Sequence, residues 1–392
     1  MLKKLSWLLI AALLIVNFGY IFTVANPVEA AGIKVVVNDV TMKMSVAPVN
    51  EKGRVLVPVR EIFEALGAKL NWDGETKTVT ATRKDVTVKL VIGQKTAYVN
   101  GKAVTLDVAA KITKGKTMIP LRFVSEAFKS QVKWDSKSQT VTVDQFAGHT
   151  GTLKITGSTS VQPLAQELVD AFKKKNPDVQ ITVAGGGSSV GIKDVTDGKV
   201  NIGQSSRYLK PEEAKNLKAY VIANDGVAVV VNPQNSIKDI TTEQVKKIFK
   251  GEITNWKDLG GADAPIILNV RDAASGTGEY FIEHFLGKGG KVAATAKTHA
   301  SNGLVRQAVA SNKNAIGYIS LGYIDNTVKA PTLDGVVPSF ENAKKGTYKV
   351  VRPFIMATKG EAEGLTAAFI EYVLSPAGQK IVANEYIPVE TD

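Results

Sequence analysis

The 392-residue chain carries 49 basic and 37 acidic side chains, three histidines and no cysteine. Without cysteine, disulfides, thiolate metal centres and a lipid-modified N-terminal cysteine are excluded, and the length implies two or three folding units at roughly 100 to 200 residues each. The basic surplus is uneven: residues 31–147 hold 19 basic and 11 acidic residues, a surplus of +8, against 28 and 25, or +3, from Gly148 onward. Residues 1–4 are short and basic, residues 5–24 are almost wholly apolar, and Val28-Glu29-Ala30 offers a cleavage site before Ala31, so residues 1–30 read as an export signal. The apolar run is long enough to span a bilayer, which leaves retention as an N-terminal anchor as the alternative. Basic charge without aromatic interleaving on an exported chain points to anionic cell-wall polymer or a lipid surface, with nucleic acid excluded as a partner; the plainer alternative is lysines that only solvate the surface.

In the front part, residues 55–80, VLVPVREIFEALGAKLNWDGETKTVT, return as residues 118–142, MIPLRFVSEAFKSQVKWDSKSQTVT. A constant offset of 62 relates Pro58 to Pro120, Arg60 to Arg122, Trp72 to Trp134, Asp73 to Asp135 and Asn38 to Asn100. Each unit predicts hairpin strands, a Pro-x-Arg lead into a short amphipathic helix, a Trp-Asp turn and a returning strand. One unit can scarcely bury a core alone, so the copies are expected to pack together, with the tryptophans read as core plugs in preference to the alternative, a sugar-stacking surface. The repeated Pro-x-Arg and Trp-Asp pattern resembles the small domain at the N-terminus of copper amine oxidases, over residues 33–144. That resemblance implies a stalk of α+β tandem repeats (31–147) serving as spacer or wall contact, with no catalysis. The segment has no histidine for copper. A polar link, residues 145–150, joins it to the rear part.

From Gly151 onward strand and helix patterns alternate, which predicts an α/β domain with largely parallel sheets. Strands are expected at 153–156, 179–183, 219–223, 227–231, 266–270, 315–319 and 350–354, and helices at 161–175, 242–249, 303–310 and 364–374. Three strand-to-helix turns carry glycine beside hydroxyl residues: GSTSV at 157–161, GGGSSVG at 185–191 and the stretch after Arg271, DAASGTG. Ser275 stands where a helix N-cap belongs, and Gly276 and Gly278 let a ligand approach backbone N–H groups closely. Arg271 just before it offers the paired donors that match two oxygens of a tetrahedral anion. Together the loops form a cage of donors around one small anion at the carboxyl ends of strands.

The segments GSTSVQPLAQELVDAF, GGGSSVGI, IGQSSR, ANDGVAVVVN, GEITNW, VRDAASGT, AIGYISLGYI and VRPFIMATKG occur in this order in the substrate-binding proteins of bacterial phosphate ABC importers, and the resemblance covers nearly all of residues 151–392. It implies a two-lobed periplasmic-binding-protein-like fold with a hinge, lobe one being about 151–224 and 340–392 and lobe two about 225–339. It further implies capture of inorganic phosphate for a membrane permease on the outer face of a Gram-positive-type bacterium, with no cofactor, metal or enzymatic activity. By the same resemblance Thr159, Ser160 and Ser188 donate from lobe one, and Arg271, Ser275, Gly276 and Thr277 from lobe two. Where other members place a carboxylate that accepts the proton of hydrogen phosphate, this chain has Ser206.

An acceptor is still needed, because a buried phosphate O–H without one costs about 1 to 3 kcal/mol. Asp225 is the first candidate, its alternative being a turn aspartate before Gly226. Asp272 is the second, its preferred alternative being an ion pair that orients Arg271. Arg207 is expected to pair with a neighbouring carboxylate in preference to the anion. Competing readings are another oxyanion such as sulfate or molybdate, a wall-attached phosphate sensor or scaffold, and a phosphatase with Ser275 as nucleophile. The last lacks a base in the sequence pattern, since His149, His284 and His299 form no cluster.

Overall fold

A computed structural model describes residues 32–390. The expected export signal lies outside the described residues, and among these no helix is long and apolar enough to cross a membrane.

The front domain is a duplicated unit closed on itself. Each copy contributes a hairpin, Val49–Glu51 with Arg54–Pro58 and Lys111–Thr113 with Lys116–Pro120. The two hairpins pair antiparallel through Leu56↔Pro120 and Pro58↔Met118 into one four-stranded sheet. Pro58 and Pro120, held extended with φ of −60° and −65°, end these strands and lead into the helices Val59–Ala65 and Leu121–Ala127. Ile62, Phe63 and Val124 face a single shared core, in which Phe63 and Phe128 meet edge to face at 5.9 Å. Left-handed backbone recurs at the same offset, at Asn38 and Asn100, Lys52 and Lys114, and Lys77 and Gln139. Strand Lys34–Val37 pairs in parallel with Thr140–Asp144, so both ends of the domain lie side by side.

The expectation for the tryptophans is corrected. Trp72 and Trp134 are 44% and 39% exposed. They sit on Lys69–Asp73 and Gln131–Asp135, each the edge strand of its sheet. Leu70 and Val132 on the same faces are half-buried, and two residues on the core has ended. The Trp-Asp turns form as expected: Asp73 and Asp135 accept from the backbone N–H groups of Thr76 and Ser138, at 3.2 and 3.4 Å, and from their hydroxyls, both at 2.7 Å.

The expected polar link is also corrected. Phe146 is buried in the first lobe's core against Tyr372, 5.5 Å between ring centres. Asn176 donates to the Phe146 carbonyl at 2.6 Å, and Lys175 pairs with Asp144 and Asp39 at 2.6 and 2.7 Å. With Arg83 and Lys84 on Glu371, these contacts fix the front domain to the first lobe.

The rear part has two lobes. In the first, Gly151–Gly157 lies between parallel neighbours Val179–Ala184 and Ile202–Ser205. In the second, Ile267–Arg271 lies between Lys297–His299 and Ala315–Ser320. The strands expected at 219–223 and 227–231 are one 15-residue strand, Leu217–Val231, with a bulge between Val221 and Ala223. Its first part pairs with Val351–Lys359 in lobe one and its last part, Val227–Val231, with Ala315–Ser320 in lobe two. The chain therefore crosses between lobes at Asn224-Asp225-Gly226, a triplet that reads as a turn in sequence but stays extended. The lobe boundary at 340 is corrected as well: Ala343, Tyr348 and Val350 pack in the second lobe's core, so the return crossing is Val351–Lys359.

Candidate functional site

Each of the three glycine-hydroxyl loops reaches the junction of the lobes because glycine permits a close approach. At Gly157, φ is 136° and a Cβ would stand 2.3 Å from the Gln204 carbonyl oxygen. At Gly187, φ is 99° and a Cβ would stand 2.6 Å from the Ala274 carbonyl oxygen of the opposite lobe. A Cβ at Gly276 would fall 2.3 Å from Ser188 Oγ. The loops thus interlock across the junction, and the Ser189 N–H donates to the Ala274 carbonyl at 3.1 Å.

Thr159, Ser160, Ser188, Ser206, Asp225, Arg271, Ser275 and Thr277 are all buried there. Ser160 Oγ lies 2.9 Å from Thr277 Oγ1 of the other lobe. Ser188 Oγ accepts from the Ser206 N–H at 3.0 Å and lies 3.3 Å from Ser206 Oγ. Ser275 caps the helix Gly276–Phe281 by accepting from the Gly278 N–H at 3.1 Å, as its position in the sequence predicts.

Arg271, at the end of its strand, is 5% exposed. Its Nε donates to the His299 carbonyl at 3.2 Å, and its Nη2 to the Ala300 carbonyl at 3.0 Å and to Thr159 Oγ1 at 3.2 Å. Its Nη1 is buried without a protein partner. Burial foremost, with the charge of Arg352 adding to it, pushes its pKa down to about 10. The expected ion pair with Asp272 does not form among the described residues; Asp272 instead closes its own loop by accepting from the Ala274 N–H at 3.2 Å. Carbonyl groups and the Thr159 hydroxyl hold the guanidinium in place, and Asp272 acts on it through its charge without a hydrogen bond.

Arg352 is the residue sequence reasoning missed. It is 1% exposed, on the crossing strand Val351–Lys359. Its Nη1 donates to Thr277 Oγ1 at 2.7 Å and to the Ser206 carbonyl at 3.2 Å, and its Nη2 to Ser160 Oγ and Asp225 Oδ2, both at 3.0 Å. One guanidinium thereby ties together four of the expected site residues from both lobes and the crossing. A signal was present: an arginine inside the apolar run of residues 350–357 must find partners to be buried.

Asp225 is fully buried and no turn aspartate. Its Oδ1 accepts from Ser320 Oγ at 2.9 Å while Oδ2 faces Arg352, and burial, opposed by Arg352, pushes its carboxyl up to about 6. Two further residues were missed. Asn302 Nδ2 donates to Ser160 Oγ at 2.8 Å, and Tyr323 donates to the Thr159 carbonyl at 2.6 Å. Arg207 pairs with carboxylates as expected, with Glu213 at 2.8 Å and, across the junction, with Glu279 at 2.7 Å. Lys210 also reaches Glu279, at 3.0 Å. Arg271 and Arg352, with Asp225 and Asp272 as the nearby carboxylates, stand in a lining of hydroxyls and leave Arg271 Nη1 as an unpartnered charged donor, which suits a small anion. His149 and His284 stack on Phe172 and Tyr280, and His299 Nε2 lies 3.0 Å from Asn269 Oδ1, so none is bonded to Ser275.

A family model described as a PBP superfamily domain matches residues 142–377, and one described as a copper amine oxidase N-terminal domain matches residues 36–143. The phosphate-binding protein PstS of Bacillus subtilis is 39% identical over 245 residues, which are 61% of this chain and 81% of that protein. PstS of Borreliella burgdorferi is 32% identical over 59% of this chain and 88% of its own length. Among solved structures, a phosphate ABC transporter substrate-binding protein from Clostridium perfringens with bound phosphate is 42% identical, covers 61% of this chain and 100% of that one, and has a TM-score of 0.59. An ABC-type phosphate transport receptor from Vibrio cholerae is 35% identical over 61% of this chain and 100% of that chain, with a TM-score of 0.53.

Proposed function

We propose, since the chain belongs to the PBP superfamily and within it to the PstS phosphate-binding proteins, that it captures inorganic phosphate between its lobes and delivers it to the permease of an ABC importer. The observation that carries this reading is the buried Arg271 Nη1, a charged donor without a protein partner, beside hydroxyls contributed by both lobes. A tetrahedral oxyanion accepts from such donors, and the one O–H that hydrogen phosphate brings has Asp225 as its acceptor. Thr159, Ser160, Ser188, Ser206, Ser275, Gly276 and Thr277 are the neutral donors, and Arg271 and Arg352 the cations. Phosphate adds bonds that only the closed arrangement offers, so binding favours closure, and closure is the form the permease reads. The crossing strands Leu217–Val231 and Val351–Lys359 are the hinge.

Asp225 is the carboxylate of this network and the discriminator between protonated phosphate and fully ionised sulfate, in place of the carboxylate that Ser206 lacks. The protein works outside the membrane, as a binding protein and not an enzyme, and its front domain spaces or attaches it there. Isothermal titration tests the assignment. Micromolar phosphate should release heat at one site per chain while sulfate at the same concentration does not; equal affinity for both would remove the phosphate assignment.

A further inference from the structure

The front domain takes no part in the anion cleft, yet it holds two surface hollows that are copies of one another. The first, about 360 Å³, is lined by Arg60 and Trp72 of the first repeat and by Lys116 from the hairpin of the second. The second, about 240 Å³, is lined by Arg122 and Trp134 of the second repeat and by Arg54 from the hairpin of the first. Every correspondence obeys the offset of 62, including Arg54 with Lys116. Each hollow is therefore built across the repeats, from the Trp edge strand and the Pro-x-Arg helix of one and the hairpin of the other.

The chemistry of the two seats matches as well. Each presents an indole that is about two-fifths exposed. The neighbouring arginine pairs loosely and only within its own helix, Arg60 with Glu64 at 3.6 Å and Arg122 with Glu126 at 3.4 Å. Pairs this exposed are worth little, so the guanidinium is free to engage a ligand. The seats differ in their carboxylates. Glu61 lines the first and accepts from the Ser45 N–H at 3.0 Å, whereas at the second Asp107 pairs with Arg54 at 2.5 Å.

A flat apolar ring flanked by two cations fits a sugar ring that carries an acidic group. The ring's C–H face lies on the indole and the carboxylate or phosphate meets the cations. Two equivalent seats on one rigid body fit a ligand that itself repeats. The surplus of +8 on this domain complements a polyanion.

We propose that the front domain binds an anionic glycopolymer through two equivalent seats, Trp72 with Arg60 and Lys116, and Trp134 with Arg122 and Arg54. This inference is independent of phosphate capture and fails or stands separately from it.

The test uses the full chain and four probes: polygalacturonate, galacturonate monomer, neutral dextran and polyglutamate. Of the tryptophans among the described residues, Trp256 is buried in the second lobe, so a fluorescence change that Trp72→Phe with Trp134→Phe removes reports on those two rings. Polygalacturonate should bind and change that fluorescence, and the monomer should bind at least about a hundredfold more weakly, because linkage of two seats supplies the affinity. Dextran lacks the charge and polyglutamate the ring, so both should bind at least about tenfold more weakly than polygalacturonate. Trp72→Ala and Trp134→Ala should each cost about tenfold and the double variant abolish binding, with thermal stability and phosphate affinity unchanged. Three results would overturn the proposal: no binding of polygalacturonate, equal binding of polyglutamate or dextran, or tryptophan variants that bind as the parent does.

Discussion

Arginine serves opposite ends in the two regions of this chain. In the front domain Arg60 and Arg122 have side chains 70% and 50% exposed, each paired with a carboxylate one helical turn away. In the cleft Arg271 and Arg352 are 5% and 1% exposed, and their partners are carbonyls and hydroxyls, with one carboxylate, Asp225, on Arg352. Water screens the first pair, so their attraction for an anion is shallow and salt-dependent. The second pair has lost its water, so the protein must hold each guanidinium with fixed dipoles, and an anion that completes the set is bound strongly. The same residue type thus stands exposed and loosely paired at one end of the chain and buried among fixed dipoles at the other.

The sharpest way to break this contrast is Arg352→Ala. It leaves Asp225 buried without its cation and unties Ser160, Thr277 and Ser206, so folding stability should fall by about 3 to 5 kcal/mol in urea denaturation. Phosphate binding should vanish with it. A loss below about 1 kcal/mol would mean that Arg352 is no hub. Arg271→Ala comes next and separates affinity from stability. Phosphate affinity should drop by about a hundredfold or more in titration calorimetry, while the unfolding midpoint barely moves, because the retained carbonyls can be solvated.

Asp225→Asn tests the carboxyl that burial raises from 3.8 to about 6. A raised carboxyl stabilises the fold while protonated, so its contribution is present below about pH 4 and is lost as pH rises through about 6. Between those values the parent chain should lose stability relative to Asp225→Asn, and the variant should discriminate less against sulfate. Parallel pH profiles and unchanged selectivity would count against the assignment. A smaller effect is expected of Glu279→Gln, which removes the ion pairs that Arg207 and Lys210 make across the lobes. Phosphate should dissociate a few-fold faster, about 1 kcal/mol at most, measured by stopped flow. Smallest of all, Arg60→Ala with Arg122→Ala should leave stability within about 0.5 kcal/mol.

Much of this architecture was legible in the chain. The offset of 62 exposed the duplicated domain, and apolar runs placed most of the long strands and helices of the lobes, while the short strands Ile202–Ser205 and Lys297–His299 and the helix Pro376–Glu385 gave no such signal. The glycine-hydroxyl loops and Arg271 were readable because a tight turn between strand and helix is a local property. Asp225 was legible as the acceptor candidate at the lobe crossing, but Arg352 and Ser320, which hold it in an extended strand, lie more than ninety positions away and were not. What failed was non-local. Trp72 and Trp134 read as core plugs because nothing in a sequence says that their strands are edges. Asp272 reads as a partner for Arg271, yet the His299 and Ala300 carbonyls take that place.

The most direct test is a crystal structure of the full chain grown with phosphate. The account predicts one phosphate at the lobe junction, an oxygen about 2.7 to 2.9 Å from Arg271 Nη1 and others within hydrogen-bond reach of Thr159, Ser188, Ser275 and Thr277. Phosphate seated elsewhere, with Arg271 Nη1 still without a partner, would contradict it.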